Sequence, residues 1–506
     1  MTASLRPSAS RAPLALPDEV SVINIGLPMF ADAVREQGRP VVGVDWRIPA
    51  GGDATLVAAL TRLEGPAAAA VDEANAEVLR RLDTGVPTLQ GVHTLAQVRP
   101  ELDGRTLLHC GPAISWDRVC DPLRRSMRAA VVAEGWAEDT GRADELLASG
   151  QVALEPANHH LTVIPMASAI GPSSPVWEVV CPQGDTRAYA SINQGPGDVP
   201  WFGRDTDAAI GRLRFLRDVA GPALAQVVRE AGPLDVFALA QQGVAMGDDV
   251  HMRTQATTNL LVRTWLPQLA ALPDPVRVEL ARFLAGNHLF FLTLAMAAAR
   301  SLTAWAGQVP GSSIVTTMSR NGTDYGIRLA GSDDWFITDS PPVGDALYYS
   351  GYGPEDAAPD IGDSALLELV GLGGPAAGGS PAVASFLGGT MAAAAAATDD
   401  FARICAARSS RFTLPPMNFA GTPLGVDVRR VVESGITPKV TTGILHAHSG
   451  AGQIGAGVAT APQACFAEAL LDLDRRLDPR RTPDPQTPDP RTPDPRKPDA
   501  RAEATG

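Results

Sequence analysis

VINIGL (residues 22–27) and VDWRIPAGGD (residues 44–53) flank one helical stretch, and their reading decides the fold class. Residues 21–25 form a short apolar run stopped by Gly26. From 27 to 37, Phe30, Ala33 and Val34 fall on one helical face, and Gly38 follows as a cap. Residues 40–46 are again nearly all apolar, the pattern of a parallel strand covered by helices on both faces. Strand, helix and strand with glycine in both turns make a Rossmann-like βαβ unit, so an α/β fold is expected. Asp45 closes the second strand as an acid does in nucleotide-binding units. Arg47, Gly51, Gly52 and Asp53 then precede another helix, where unhindered backbone N–H groups make an anion cradle. A plain turn with a helix cap is the competing reading.

Working outward, 506 residues exceed what one core holds, so a multi-domain chain is expected. The pattern divides it into an N-terminal α/β domain (18–204), a helical domain (205–308) and a C-terminal α/β domain with glycine-rich loops (309–475). Mixed β-sheets are expected where short strands cluster. Residues 1–17 read as a loose tail. Residues 476–506 repeat T-P-D-P and cannot pack a core, so they read as a disordered tail. A net charge of -14 and the lack of any Lys/Arg cluster with interleaved aromatics argue against nucleic acid. The five cysteines are scattered and form no C-x-x-C pair, which fits structural thiols in the cytoplasm and no zinc site. The most apolar window, 289–299, is far shorter than the roughly 20 residues that span a bilayer, and reads as a buried helix.

Several local patterns fill in this frame. Residues 117–134 read as a helix with Arg124, Arg125 and Arg128 on a solvated side, and 152–193 turn β-rich. Residues 206–307 are helical in period, and 312–331 form a hairpin around Arg320-Asn321-Gly322. Residues 438–457 read as a strand entering a glycine loop, with a closing helix at 462–475.

The loop holds Gly450, Gly452 and Gly455 in a G-x-G-x-x-G spacing. A dinucleotide fingerprint needs a helix to start inside the motif and a parallel strand about 20 residues later. Here neither follows, so the loop reads as touching substrate or a neighbouring subunit, and no cofactor is expected. His446 and His448, with Asp248, Asp249 and His251, match no metal spacing, and no metal is expected either. His251 or His446 suits proton transfer, because imidazole titrates near neutrality. Arg47, Arg253 and Arg320 offer planar donor forks for carboxylate or phosphate. Polar glycine turns also occur at 193–197, 360–364 and 418–425, and no known nucleophile motif is present.

Taken together, segments 22–27, 44–53, GVAMGDDVHMR (243–253), SRNGTDYGIRLAG (319–331), DIGDSALLE (360–368) and 421–457 resemble the bacterial family typified by YlbE and YahG. The resemblance runs over about residues 20–472. One branch of that family, AllG, implies a subunit of oxamate carbamoyltransferase in anaerobic allantoin breakdown. Such a subunit acts beside an FdrA-like chain, itself similar to the CoA-binding subunit of succinyl-CoA synthetase, and a third small subunit. The implied reaction takes oxalurate and phosphate to oxamate and carbamoyl phosphate.

Phosphorolysis of a ureido carbonyl needs two small anions held side by side and developing negative charge stabilised. The expected assignment puts phosphate on Arg47, Gly51, Gly52 and Asp53, and the substrate carboxylate on Arg320, Asn321 and Gly322. His251 or His446 moves the proton, and Arg253, Gly452 and Gly455 complete the binding set. Two other readings stand beside it: a non-catalytic assembly partner of an FdrA-like chain, and a CoA- or nucleotide-binding enzyme.

Overall fold

The computed structural model describes residues 21–44, 48–102, 104–385 and 387–478. Asp45, Arg47, residues 1–17 and residues 479–506 therefore lie outside the described residues, and the start of the expected C-terminal tail, to Leu477, is helical instead. The opening unit forms as its pattern requires: β1 (Val22–Ile25), α1 (Pro28–Glu36) and β2 (Val41–Val44). The strands are parallel, with Val22 opposite Val41 and Ile25 opposite Val44. One expectation fails, because helices do not cover both faces. Side chains alternate along a strand, and this register puts Ile23, Ile25, Val42 and Val44 on a single face, where Ile23 and Val42 are 69% and 64% exposed. Among the described residues the sheet has two strands, and one helix is enough for one face alone.

The main core assembles around a five-stranded sheet, in the order Leu234–Asp235, Thr88–Thr94, Pro175–Cys181, Thr186–Ser191, Thr162–Val163. The helix Phe290–Ala306 packs across it. Its sequence, FFLTLAMAAARSLTAWA, is apolar on every side, and a helix of that kind belongs inside a protein. Trp177 meets Phe290 edge-on at 5.6 Å and donates its indole N–H to Thr293 Oγ1 at 3.1 Å. The pair thus buries a large aromatic without leaving its one donor unpaired. Among the described residues no single helix is long and apolar enough to cross a membrane.

A second core lies under the four-stranded sheet whose central hairpin is Val315–Asn321 with Asp324–Leu329. Helices Ala54–Leu63, Val428–Ser434 and Gln463–Leu477 contribute to that core. A third sheet orders Val343–Tyr348, Gln453–Thr460 and Lys439–Leu445. The glycine motif at 450–455 is therefore the turn of an antiparallel β-hairpin, running straight into a strand. The chain continues from strand to strand, so the helix N-terminus that would hold a pyrophosphate is missing from the motif.

Arg124, Arg125 and Arg128 also depart from expectation: all three are half-buried rather than on a solvated face. Arg124 donates to Trp116 O and Asp117 O, and Arg128 bridges Asp205 and Asp144. Arg125 holds Asp121 and Asp205 and reaches His448 O at 3.4 Å. Of the three, Arg125 ties the glycine hairpin to the helix Asp121–Ala133.

Candidate functional site

A cavity of about 660 Å³ opens where five chain segments meet. The turn 195–198, the loop residue Met252, the helix junction 287–289, Tyr349 and the hairpin turn 451–453 all line it. Three of these belong to the polar or glycine-rich segments singled out in the sequence.

Each wall is held by a specific bond. Asn193 is fully buried; it accepts the Gly195 N–H at 2.9 Å and donates to Leu289 O at 2.9 Å, joining the first turn to the helix junction. Gly195 and Gly197 adopt φ of +76° and +100°, which only glycine enters without strain. Arg204 pairs with Asp198 and donates to Gly450 O and Ala451 O at 3.1 and 3.0 Å. It thereby ties the first turn to the hairpin. Gly450 has φ +64°, which favours glycine, and a Cβ there would lie 2.7 Å from Arg125 Nη1 and push that side chain aside.

The loop GDDVHMR forms the wall behind Met252. Asp249 accepts the N–H groups of His251, Met252 and Arg253 and curls the loop. Burial pushes its carboxyl above the usual carboxylate range, against the pull of His251 and these N–H donors. Between the two, Val250 is forced to φ +65°, a left-handed conformation that costs a β-branched residue about 1–3 kcal/mol. Asp248 caps the next helix through the N–H groups of Ala256 and Thr257. Thr254 and Thr258 then donate to His288 O, so the strained loop fixes the helix junction as well.

The structure redistributes the residues expected to bind or react. Gly452 (φ +92°) lines the cavity. Gly455 instead sits within a strand, against the Leu347 carbonyl. His251 faces inward, with Nδ1 2.7 Å from the buried Glu368 carboxylate. His446 accepts the His448 and Ser449 N–H groups at Nδ1 and so caps its own turn. Arg253 leans on Asp248 at 3.3 Å. Gly51, Gly52 and Asp53 are exposed and contribute nothing to the cavity lining, and Asp53 caps the helix Ala54–Leu63.

Arg320 requires the plainest correction. It is fully buried, forms a two-pronged pair with Asp360 at 2.7 and 2.9 Å, and donates to Gly362 O at 2.7 Å. Its donors are spent on the protein, so a substrate carboxylate has no fork to meet. Asn321 caps the hairpin turn through Thr323 and Asp324 and donates to Pro112 O. Gly322 lets that turn pass Cys120.

Sequence reading missed the polar side chains that do line the cavity: Asp198, Arg204, Asn287, His288 and Gln453. His288 is exposed and is the one imidazole in that lining. Its signal is the polar pair Asn287-His288 interrupting two apolar helices, a break that marks a junction rather than a core. Chemically, the lining sets carboxylate and amide acceptors beside donors and a proton carrier, which suits a small ligand bearing both N–H and C=O groups.

Fold and cavity define a mixed α/β protein of several sheets, with a cavity between loops lined by apolar and polar side chains together. The family model for oxamate carbamoyltransferase subunit AllG matches residues 152–364. The oxamate carbamoyltransferase subunit AllG of Escherichia coli (strain K12) is 38% identical over 405 residues, covering 79% of this chain and 97% of that protein. The protein YahG of the same strain is 33% identical over 456 residues, or 89% of this chain and 96% of that one. A crystal structure of a conserved protein from Enterococcus faecalis V583 superposes with a TM-score of 0.78 at 32% identity, covering 80% of this chain and 97% of that one. The chain belongs to the AllG and YahG family.

Proposed function

We propose that this chain is a subunit of a carbamoyltransferase that passes the carbamoyl group of an oxalurate-like ureido substrate to phosphate, as part of purine or allantoin nitrogen catabolism. The observation that carries the reading is the 38% identity to a protein named oxamate carbamoyltransferase subunit, over nearly all of that protein's length. The cavity supports it. Asp198 and Gln453 offer acceptors for ureido N–H groups, and Gln453 Nε2 is already committed to Gly455 O. A phosphate oxygen attacks the ureido carbonyl, the bond to the oxamate nitrogen breaks, and that nitrogen takes a proton. His288 at the cavity wall is the group we assign to deliver it.

The same reading makes the chain one member of an assembly, with an FdrA-like subunit and a third small subunit as partners. The open apolar face of β1 and β2 favours this, because parallel strands are normally covered on both sides. A purely structural role within that assembly is the second reading. Reconstitution separates them. Phosphate-dependent loss of oxalurate is measured for the three-chain mixture carrying either wild type or His288→Gln. A catalytic subunit loses about 10²-fold or more in turnover on that change, with assembly intact. Unchanged turnover hands the chemistry to another chain.

A further inference from the structure

Two arginines among the described residues are almost wholly enclosed, and they are treated oppositely. Arg320 is matched by Asp360, as a buried guanidinium must be. Arg300, on the apolar helix Phe290–Ala306, is 6% exposed, yet no carboxylate hydrogen-bonds to it. Its Nη2 reaches only Asn158 O, at 3.3 Å, and its Nε is buried without a partner. Burial and repulsion from Arg328 push its guanidinium down to about 10. Asp363 is the acid that acts on it electrostatically, but that carboxylate is spent on the N–H groups of Gly111 and Ile164 and on Ser319.

The surroundings hold several further donors, alongside the carboxylates of Asp333 and Glu155. Asn158 belongs to the tight turn Ala157–His160 and is itself held by Ser319 Oγ at 3.1 Å. Arg328 lies 5.7 Å over the Trp335 ring; its Nη2 goes to Asp333 and Ser332 O, while its Nε is buried and unpartnered. Trp335 donates to His159 Nε2 at 3.1 Å, and His159 is exposed. His160 Nε2 also lacks a hydrogen bond, although Glu155 stands 3.8 Å away. The group thus runs from open solvent at His159 to the interior at Arg300.

We propose that Arg300, Arg328 and the Ala157–His160 turn form a binding site for a small oxyanion, a carboxylate or a phosphoryl group, which supplies the negative charge that Arg300 lacks. An unpaired charge held away from water is strongly disfavoured, and a guanidinium fork matches an oxyanion. The site rests on the burial of Arg300 and does not need the carbamoyl-transfer reading.

The test uses full-length protein in phosphate-free buffer, with inorganic phosphate and oxamate as separate probes in melting and titration calorimetry. At least one probe raises Tm and binds. The response falls in Arg300→Met, which melts no lower than wild type without ligand, because it removes a charge with no carboxylate partner. Arg328→Met weakens the affinity by about tenfold or more. Response to phosphate alone identifies a phosphoryl group, and response to oxamate alone a carboxylate. No response to either, or an equal response in Arg300→Met, overturns the site. Should Arg300→Met fail to fold, undiminished affinity in Arg328→Met does the same. Phosphate and oxamate are also a substrate and a product of the proposed reaction, so a response that survives in Arg300→Met belongs to the cavity, and only the part that Arg300→Met removes is assigned to this site.

Discussion

Arg320 and Asp363 show how far a side chain's role depends on what encloses it. Removing one member of a buried ion pair leaves the other charged and unpaired, at about 3–5 kcal/mol. Arg320→Ala is therefore expected to lower the unfolding free energy by that amount in urea melts, and Arg320→Met with Asp360→Leu to recover most of it. If Arg320 met substrate instead, the single variant would melt normally and fail only in turnover. Asp363 makes a pH prediction. Burial lifts its carboxyl from 3.8 to about 6, against Ser319 and the Gly111 and Ile164 N–H groups. The native state then holds the proton where the unfolded chain has released it. The resulting stability is complete below pH 3.8, declines as pH rises to about 6 and is constant above. The difference between wild type and Asp363→Asn should fall across that window, and a flat difference would mean the carboxylate is ionised throughout. Neither role was legible from residue type: Arg320 looked like an anion fork because arginine is one on an open surface.

Turns and hairpins were the most readable elements. Arg320-Asn321-Gly322 does join two antiparallel strands, with Arg320 opposite Tyr325. The reason for the glycine is visible only in three dimensions: φ is +81° and an added Cβ would lie 2.6 Å from Cys120 Sγ. Gly322→Ala is expected to cost about 1–3 kcal/mol by urea denaturation, and Cys120→Ala in the same chain to return part of it. The glycines at 450–455 show the opposite outcome, since letter spacing matched a nucleotide loop while the chain built a β-hairpin. The GDDVHMR segment was picked out for its acids and histidine. What the fold makes of it is a strained loop that fixes one cavity wall, with His251 turned away to Glu368, 117 residues on.

For the molecule as a whole, the open sheet face of β1 and β2 is the feature that a lone chain leaves unexplained. Ile23, Ile25, Val42 and Val44 stand exposed together on one sheet face, whereas most large apolar side chains elsewhere among the described residues are buried in the cores. Ile23→Asp with Val42→Asp should leave the melting of the isolated chain unchanged, because neither side chain is packed. Co-elution with the proposed FdrA-like partner in gel filtration should be lost. Retained co-elution would place that contact elsewhere on the surface.

The α/β class, the opening parallel unit, the helical stretch before residue 307 and the 320–322 turn all follow from local periodicity and turn chemistry, because backbone conformation responds to neighbours a few residues away. The family followed from the same segments. Which polar groups line the cavity and which are buried was decided by packing alone: Asp360 lies 40 residues from Arg320, and Glu368 far beyond His251. Burial converts such distant pairs into structure. It leaves His288, Arg204 and Gln453, which no motif marks, to line the cavity.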